Sequence, residues 1–119
     1  MKWYVTFTPL AEVHNQLTRL WHVYFVRTRH GSLYTGIATD VARRLTEHEQ
    51  VNGRGSKYLR SKGPLELAYQ TEIGDRALAL RVERCMKRLN KQQKERIVTT
   101  TPGVEELLRY LGLCEGAAP

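Results

Sequence analysis

The chain has 119 residues, enough for one domain whose core needs no disulfide or metal staple, and its 41% hydrophobic content is ordinary for a globular protein. The charge is less ordinary: 19 Lys and Arg against 12 Asp and Glu give +7, with a pI near 9.7, an excess that attracts polyanions unless it is simply an inert basic surface. No apolar run suits a membrane span, Pro9, Glu12 and His14 interrupt any signal-peptide core, and two cysteines, Cys85 and Cys114, are too few for a disulfide framework and wrongly spaced for zinc, so a cytoplasmic location is expected.

Residues 1–20 are weakly patterned and read as an extension: Trp3 to Phe7 alternates like a short strand, and Ala11 to Leu20 suits a helix. Trp21 to Val26, aromatic and β-branched, predicts a strand. Arg27 to Gly31 predicts a turn in which Gly31 is free to take positive φ, and Leu33 to Ile37 the return strand of a hairpin. Thr39 or Asp40 then caps a helix to about Glu49, with Val41, Leu45 and His48 on related faces. Val51 to Gly63 is polar and basic, with a short helix expected around Lys57–Ser61 that Pro64 ends.

Leu65 to Glu72 alternates as a third strand, which places Leu65, Leu67 and Tyr69 on one face. Asp75 caps a helix to about Leu89, whose residues Leu78, Val82, Cys85, Met86 and Leu89 make one buried stripe, with Cys85 as core filler. Gln92 to Val98 predicts a short helix. Thr101-Pro102 opens the last one, with Pro at its first helical position. Val104, Leu107, Leu108 and Leu111 supply its apolar face, and Gly112 a stop. The order predicts an α+β domain, a three-stranded and mainly antiparallel sheet flanked by helices, over residues 21–98. Residues 99–119 follow as a C-terminal helix and tail.

Several side chains could carry chemistry. Arg44 and His48 share a helix face, where a guanidinium grips phosphate and an imidazole relays a proton near neutral pH; a solvated basic helix is the alternative. Tyr24 and Tyr34 lie on the two hairpin strands, on one face if the paired residue numbers have an even sum and on opposite faces if it is odd; ordinary strand tyrosines are the alternative. Glu83, beside the apolar stripe, suits a hard cation, or else pairs with Lys87 at i+4. Basic residues cluster in the loop carrying Arg54, Lys57, Tyr58, Arg60 and Lys62, and again from Arg84 through Lys87, Arg88, Lys91 and Lys94 to Arg96. Such clusters neutralise phosphates, and Tyr58 offers a stacking surface; a solvated charged face is the alternative.

Together these residues resemble the GIY-YIG nuclease family. His22-Val23-Tyr24 and Tyr34-Thr35-Gly36 stand for its two tripeptides, Arg44 and His48 for its Arg-and-His helix, and Ala79 to Glu83 for the segment with its metal-binding glutamate. Gly31 to Gly36 and Lys57-Tyr58 further resemble the small stand-alone bacterial, YhbQ-like branch. The likeness spans about Trp21 to Val98. It departs at His22, Val23 and Thr35, which replace Gly, Ile and Ile.

The resemblance implies a metal-dependent endonuclease that hydrolyses DNA phosphodiesters, structure-selective for single-stranded or branched DNA because no base-reading element is visible. Tyr24, Tyr34, Arg44, His48 and Glu83 are the expected catalytic residues. One Mg²⁺ or Mn²⁺ sits at Glu83, and Tyr24 takes the proton of the attacking water once Arg44 and the metal lower its pKa. Gly36 lets backbone approach substrate, and Arg43, Arg54, Lys57, Tyr58, Arg60, Lys62, Lys87 and Arg88 hold the nucleic acid. DNA is the expected partner, with RNA left open. A monomer is the simplest expectation. The alternatives are a non-catalytic nucleic-acid-binding module and a partner-dependent subunit in repair or recombination, docked through the C-terminal helix.

Overall fold

The computed structural model describes residues 20–49 and 64–113. The expectations for the N-terminal extension and for the basic loop with Arg54, Lys57, Tyr58, Arg60 and Lys62 lie outside the described residues, as does Cys114. In chain order the elements are β1 (Trp21–Arg27), β2 (Leu33–Ala38), α1 (Val41–Glu49), β3 (Glu66–Gly74), α2 (Arg76–Lys87), α3 (Lys91–Thr100) and α4 (Val104–Leu111). The sheet has the order β2-β1-β3 and both pairings are antiparallel, so the α+β architecture expected from the sequence is the one found.

The β1–β2 hairpin turns as its residues dictate. Gly31 takes φ +88, a left-handed conformation that a Cβ resists, and its amide donates to the Thr28 carbonyl at 2.9 Å. Arg27 then ties the turn to α3 with two bonds to the Glu95 carboxylate, at 2.7 and 2.9 Å. Lys91 adds a third cation-to-carboxylate contact at 2.9 Å and also donates to the Gly31 carbonyl.

Alternate residues of β1 point to opposite faces, and each face has its own packing. Val23 and Phe25 face α2, α3 and α4, in a core with Ile73, Ala79, Val82, Met86, Ile97 and Leu107. Tyr24 and Val26 face α1, in a second cluster with Ala38, Val41 and Leu65, and with Tyr34, Leu45 and Leu67 packed against them.

The third strand departs from simple alternation. Phe25 pairs with Tyr69 but Val26 with Leu67, so Ala68 is an extra residue and the pairing shifts there. The bulge sends Leu65 and Leu67 to the α1 face and Tyr69 to the larger core. The expectation that all three share a face is therefore corrected. Tyr69 uses its new position, its hydroxyl donating to the Pro102 carbonyl at 2.6 Å and fastening the α3–α4 connection.

Helix starts follow their caps. Asp40 and Asp75 accept from the amides of Arg43 (3.1 Å) and Leu78 (2.8 Å), and Asn90 forms a reciprocal capping box with Gln93. The last helix is the exception. Thr101 closes α3 in the left-handed region at φ 45, and Gly103 is the cap of α4, so Pro102 stands between two helices and does not open one. The apolar face of α4 packs on its own domain through Leu107, fully buried, with Val104, Leu108 and Leu111 around it. Gly112 stops that helix at φ +77. The α2 stripe is centred on Ala79, Val82 and Met86, and Cys85 lies at its half-buried edge, not in the core.

Candidate active site

The hairpin register decides where the two tyrosines fall. Tyr24 pairs with Gly36 and Val26 with Tyr34, an even sum, so both phenols lie on the α1 face in a diagonal relation. Tyr24 is almost wholly buried. The hydroxyl end of its ring lies against Gly36: a Cβ built there would stand 2.5 Å from Tyr24 Cζ and closer still to Oη. Gly36 is thus glycine because the Tyr24 ring fills the space above it. The close approach seen at Gly36 is one made by the Tyr24 ring, beside the approach of substrate expected from the sequence.

Helix α1 brings His48 and Arg44 onto the same ring. His48, buried beneath the helix, places Nε2 3.1 Å from Tyr24 Oη. Its ring meets that of Tyr34 edge-on, with centroids 5.9 Å apart. Burial, and then the charge of Arg44, lower the His48 pKa below its ordinary 6.5, while Glu47 acts the other way. At neutral pH His48 is a neutral imidazole.

Tyr24 registers the rest of the cluster. Burial pushes its phenol up to about 12. Arg44 opposes this by charge and by a hydrogen bond, while the charges of Tyr34 and Glu83 reinforce it. Positive charge alone was expected to bring the phenol down; in the protein by itself desolvation outweighs Arg44, and Tyr24 is protonated.

Glu83 comes from α2, on the far side of the sheet edge formed by β2, and its side chain is only 18% exposed. Lys87 lies 3.5 Å away, so the i,i+4 pair weighed from the sequence is present. A residue expected to hold nucleic acid therefore faces the expected metal ligand. Among the described residues no group of three His, Cys, Asp or Glu is placed to hold a metal ion. Among the described residues Glu83 is accordingly an oxygen donor outside any such group. That suits a hard cation which keeps most of its shell as water or phosphate, and does not suit zinc.

Sequence reasoning missed Glu47. Its carboxylate accepts from Arg44 at 3.0 Å and from Arg43 at 3.3 Å, and these hydrogen bonds, that of Arg44 first, hold it below the usual carboxylate range. The signal was present as i,i+3 and i,i+4 spacing on a helix already singled out. The late basic segment is also less free than its composition suggested, since Glu95 engages Lys91 as well as Arg27. Arg88, at the C-cap of α2, is exposed.

Four polar side chains from β2, α1 and α2 (Tyr34, Arg44, His48 and Glu83) thus act by contact or by charge on one buried phenol of β1, Tyr24. A family model described as the GIY-YIG catalytic domain matches residues 20–96. The chain belongs to the GIY-YIG nuclease family. Its GIY-YIG relatives are small bacterial proteins of similar extent. A UPF0213 protein of Citrobacter koseri is 53% identical over 91 residues, which cover 76% of this chain and 89% of that one. A UPF0213 protein of Yersinia enterocolitica is 55% identical over 83 residues, covering 70% and 84%. The UPF0213 protein YhbQ of Salmonella typhimurium is 52% identical over 91 residues, covering 76% and 89%. The solution NMR structure of a UPF0213 protein from Bacillus halodurans is 36% identical, covers 68% of this chain and 84% of its own, and superposes with a TM-score of 0.44. No helix among the described residues is long and apolar enough to cross a membrane.

Proposed function

We propose that this GIY-YIG protein is a metal-dependent endonuclease that hydrolyses DNA phosphodiester bonds at the cluster around Tyr24, selecting DNA by structure and not by sequence. The observation that carries the proposal is the convergence itself. Tyr24 lies 3.1 Å from His48 Nε2 and senses the charges of Arg44, Tyr34 and Glu83. A fold has no need to bury a phenol and an imidazole, and to half-bury a second phenol and a carboxylate, beside an arginine, because each such group costs desolvation.

The proton inventory suggests how these residues act. With its pKa raised to about 12, Tyr24 does not wait as a phenolate. It acts as a relay: the phenol donates its proton to neutral His48 Nε2 as its oxygen takes one from the attacking water. The new phosphorus–oxygen bond forms to that water, and the bond to the leaving 3′-oxygen breaks. Arg44 steadies charge developing on the phosphate, and Tyr34 orients the water from the neighbouring strand. Glu83 would hold one divalent ion, Mg²⁺ or Mn²⁺, which supplies Lewis-acid stabilisation of the leaving oxygen. Arg43, Arg88 and the loop with Arg54, Lys57, Tyr58, Arg60 and Lys62 position the strand.

The test is cleavage of labelled single-stranded, duplex and branched DNA with Mg²⁺, Mn²⁺ or EDTA, beside Glu83→Ala. Metal-dependent cutting that Glu83→Ala abolishes, with DNA binding retained, is the expected result. Salt-sensitive binding with no cutting of any substrate would replace the enzyme by a binding module.

A further inference from the structure

Beside the catalytic cluster an open cleft of about 370 Å³ runs between α1 and α2, and its chemistry suits a nucleotide. Asp40, Arg43, Arg44 and Glu47 line it from α1 and its cap, Trp21 and Arg76 from β1 and the start of α2. On the α1 side two guanidinium groups converge on the single carboxylate of Glu47. Arg43 is largely solvent-exposed, and so free to exchange that carboxylate for another anion. On the opposite side the guanidinium of Arg76 lies 5.4 Å from the centre of the Trp21 ring. Trp21 is packed against the core and held in the sheet through its pairing with Gly74, so the indole is a fixed base for this stack.

An arginine held over an anchored indole offers a base a guanidinium plane and a cation in one place, and unpaired bases stack on such groups. A base inside a duplex is already stacked on both faces and cannot use it. We infer that this cleft is a subsite for one unpaired nucleotide next to the scissile phosphate, its base on the Arg76–Trp21 platform and its phosphate at Arg43. The inference rests on the phosphodiesterase reading and adds a reason for a single-stranded segment on one side of the cut. Arg44 joins the two regions, since it lines the cleft and its charge also acts on Tyr24.

The experiment uses the full chain carrying Glu83→Ala, so that binding is read without cleavage. Fluorescence anisotropy measures a short labelled single-stranded DNA and the same sequence as a duplex, in buffers of increasing salt. Arg76 is exposed, so its replacement empties no position in the core. Arg76→Ala should weaken single-strand binding about tenfold and duplex binding only about twofold. Arg76→Lys, which keeps the charge and loses the plane, should recover the salt slope but less than half of the lost affinity. Arg81→Ala, an exposed arginine of the same helix outside the cleft, should weaken both forms equally and slightly.

Equal losses for single strand and duplex in Arg76→Ala, or full recovery by Arg76→Lys, would reduce Arg76 to ordinary surface charge and overturn the subsite. The cleavage assay on the Glu83 parent separates the two readings. Cutting with no selective effect of Arg76→Ala removes the subsite alone, whereas a selective Arg76 effect with no cutting removes the nuclease and leaves the subsite.

Discussion

The two faces of the sheet make opposite uses of the same backbone. One is filled by Val23, Phe25, Ile73, Val82, Met86 and Leu107, and its Tyr69 hydroxyl is satisfied by the Pro102 carbonyl, while the Thr35 hydroxyl opposite Phe25 is buried without a hydrogen bond among the described residues. The other holds Tyr24, Tyr34 and His48 under a helix that carries Arg43, Arg44 and Glu47. The first face gains stability from every buried carbon. The second keeps ionisable groups out of water, where a proton held between Tyr24 and His48 is worth more than it would be in solvent. Changes on the first face should therefore move stability and leave chemistry, and changes on the second should do the reverse.

The sharpest division is between Leu107→Ala and Arg44→Ala. Leu107 is fully buried, so its truncation should cost about 3 kcal/mol in chemical denaturation and leave the cleavage rate per folded molecule unchanged. Arg44→Ala should lower the cleavage rate by about 10² to 10³ with little change in melting temperature. If the arginine variant lost stability and kept activity, the assignment of the two faces would be reversed. Gly36→Ala should affect both, because its Cβ collides with the Tyr24 ring: about 2 kcal/mol of stability and most of the activity. A crystal structure with Tyr24 undisturbed beside Ala at 36 would remove the steric reason for glycine.

Alkaline pH probes both faces together. Tyr24 and Tyr69 each have a folded-state pKa of about 12 against 10 when exposed. A pKa raised by folding means stability that is complete below pH 10 and lost as pH climbs toward 12. Each tyrosine should contribute on the order of 2 kcal/mol to that loss. Denaturation titrations of Tyr24→Phe and Tyr69→Phe should each flatten the decline. The smallest effect belongs to the hairpin clasp: Glu95→Ala, which frees Arg27 and Lys91 at a partly exposed site, should cost about 1 kcal/mol and leave cleavage intact.

The distinction between the faces was partly legible in the sequence. Trp21 to Val26 announced a strand, Gly31 a turn, Asp40, Asp75 and Gly112 the ends of helices, and these are local signals that tertiary contacts reinforce. The same patterns singled out Arg44, His48 and Glu83 as candidates without showing that they meet. Meeting depends on hairpin register and on two helices straddling one sheet edge, which no local pattern encodes. The bulge at Ala68 was invisible for a related reason, since Leu65, Leu67 and Tyr69 alternate perfectly until pairing with β1 inserts a residue. Pro102 misled because a helix-opening residue also suits a short linker, and here Gly103 took the cap. The purpose of Gly36 needed the structure, because a glycine records only that a side chain is unwelcome and not what excludes it.

The central claim is that a protonated Tyr24 works through neutral His48, and the pH dependence of cleavage tests it most directly. With kcat/KM measured on single-stranded DNA at fixed metal concentration, activity should rise from acid with an apparent pKa below 6.5 and then stay level through pH 9. In His48→Gln the acid limb should disappear along with most of the rate. A parent profile that instead climbs steadily toward pH 10 and beyond, with His48→Gln following the same curve, would mean that the phenolate itself is the base and that the relay does not operate.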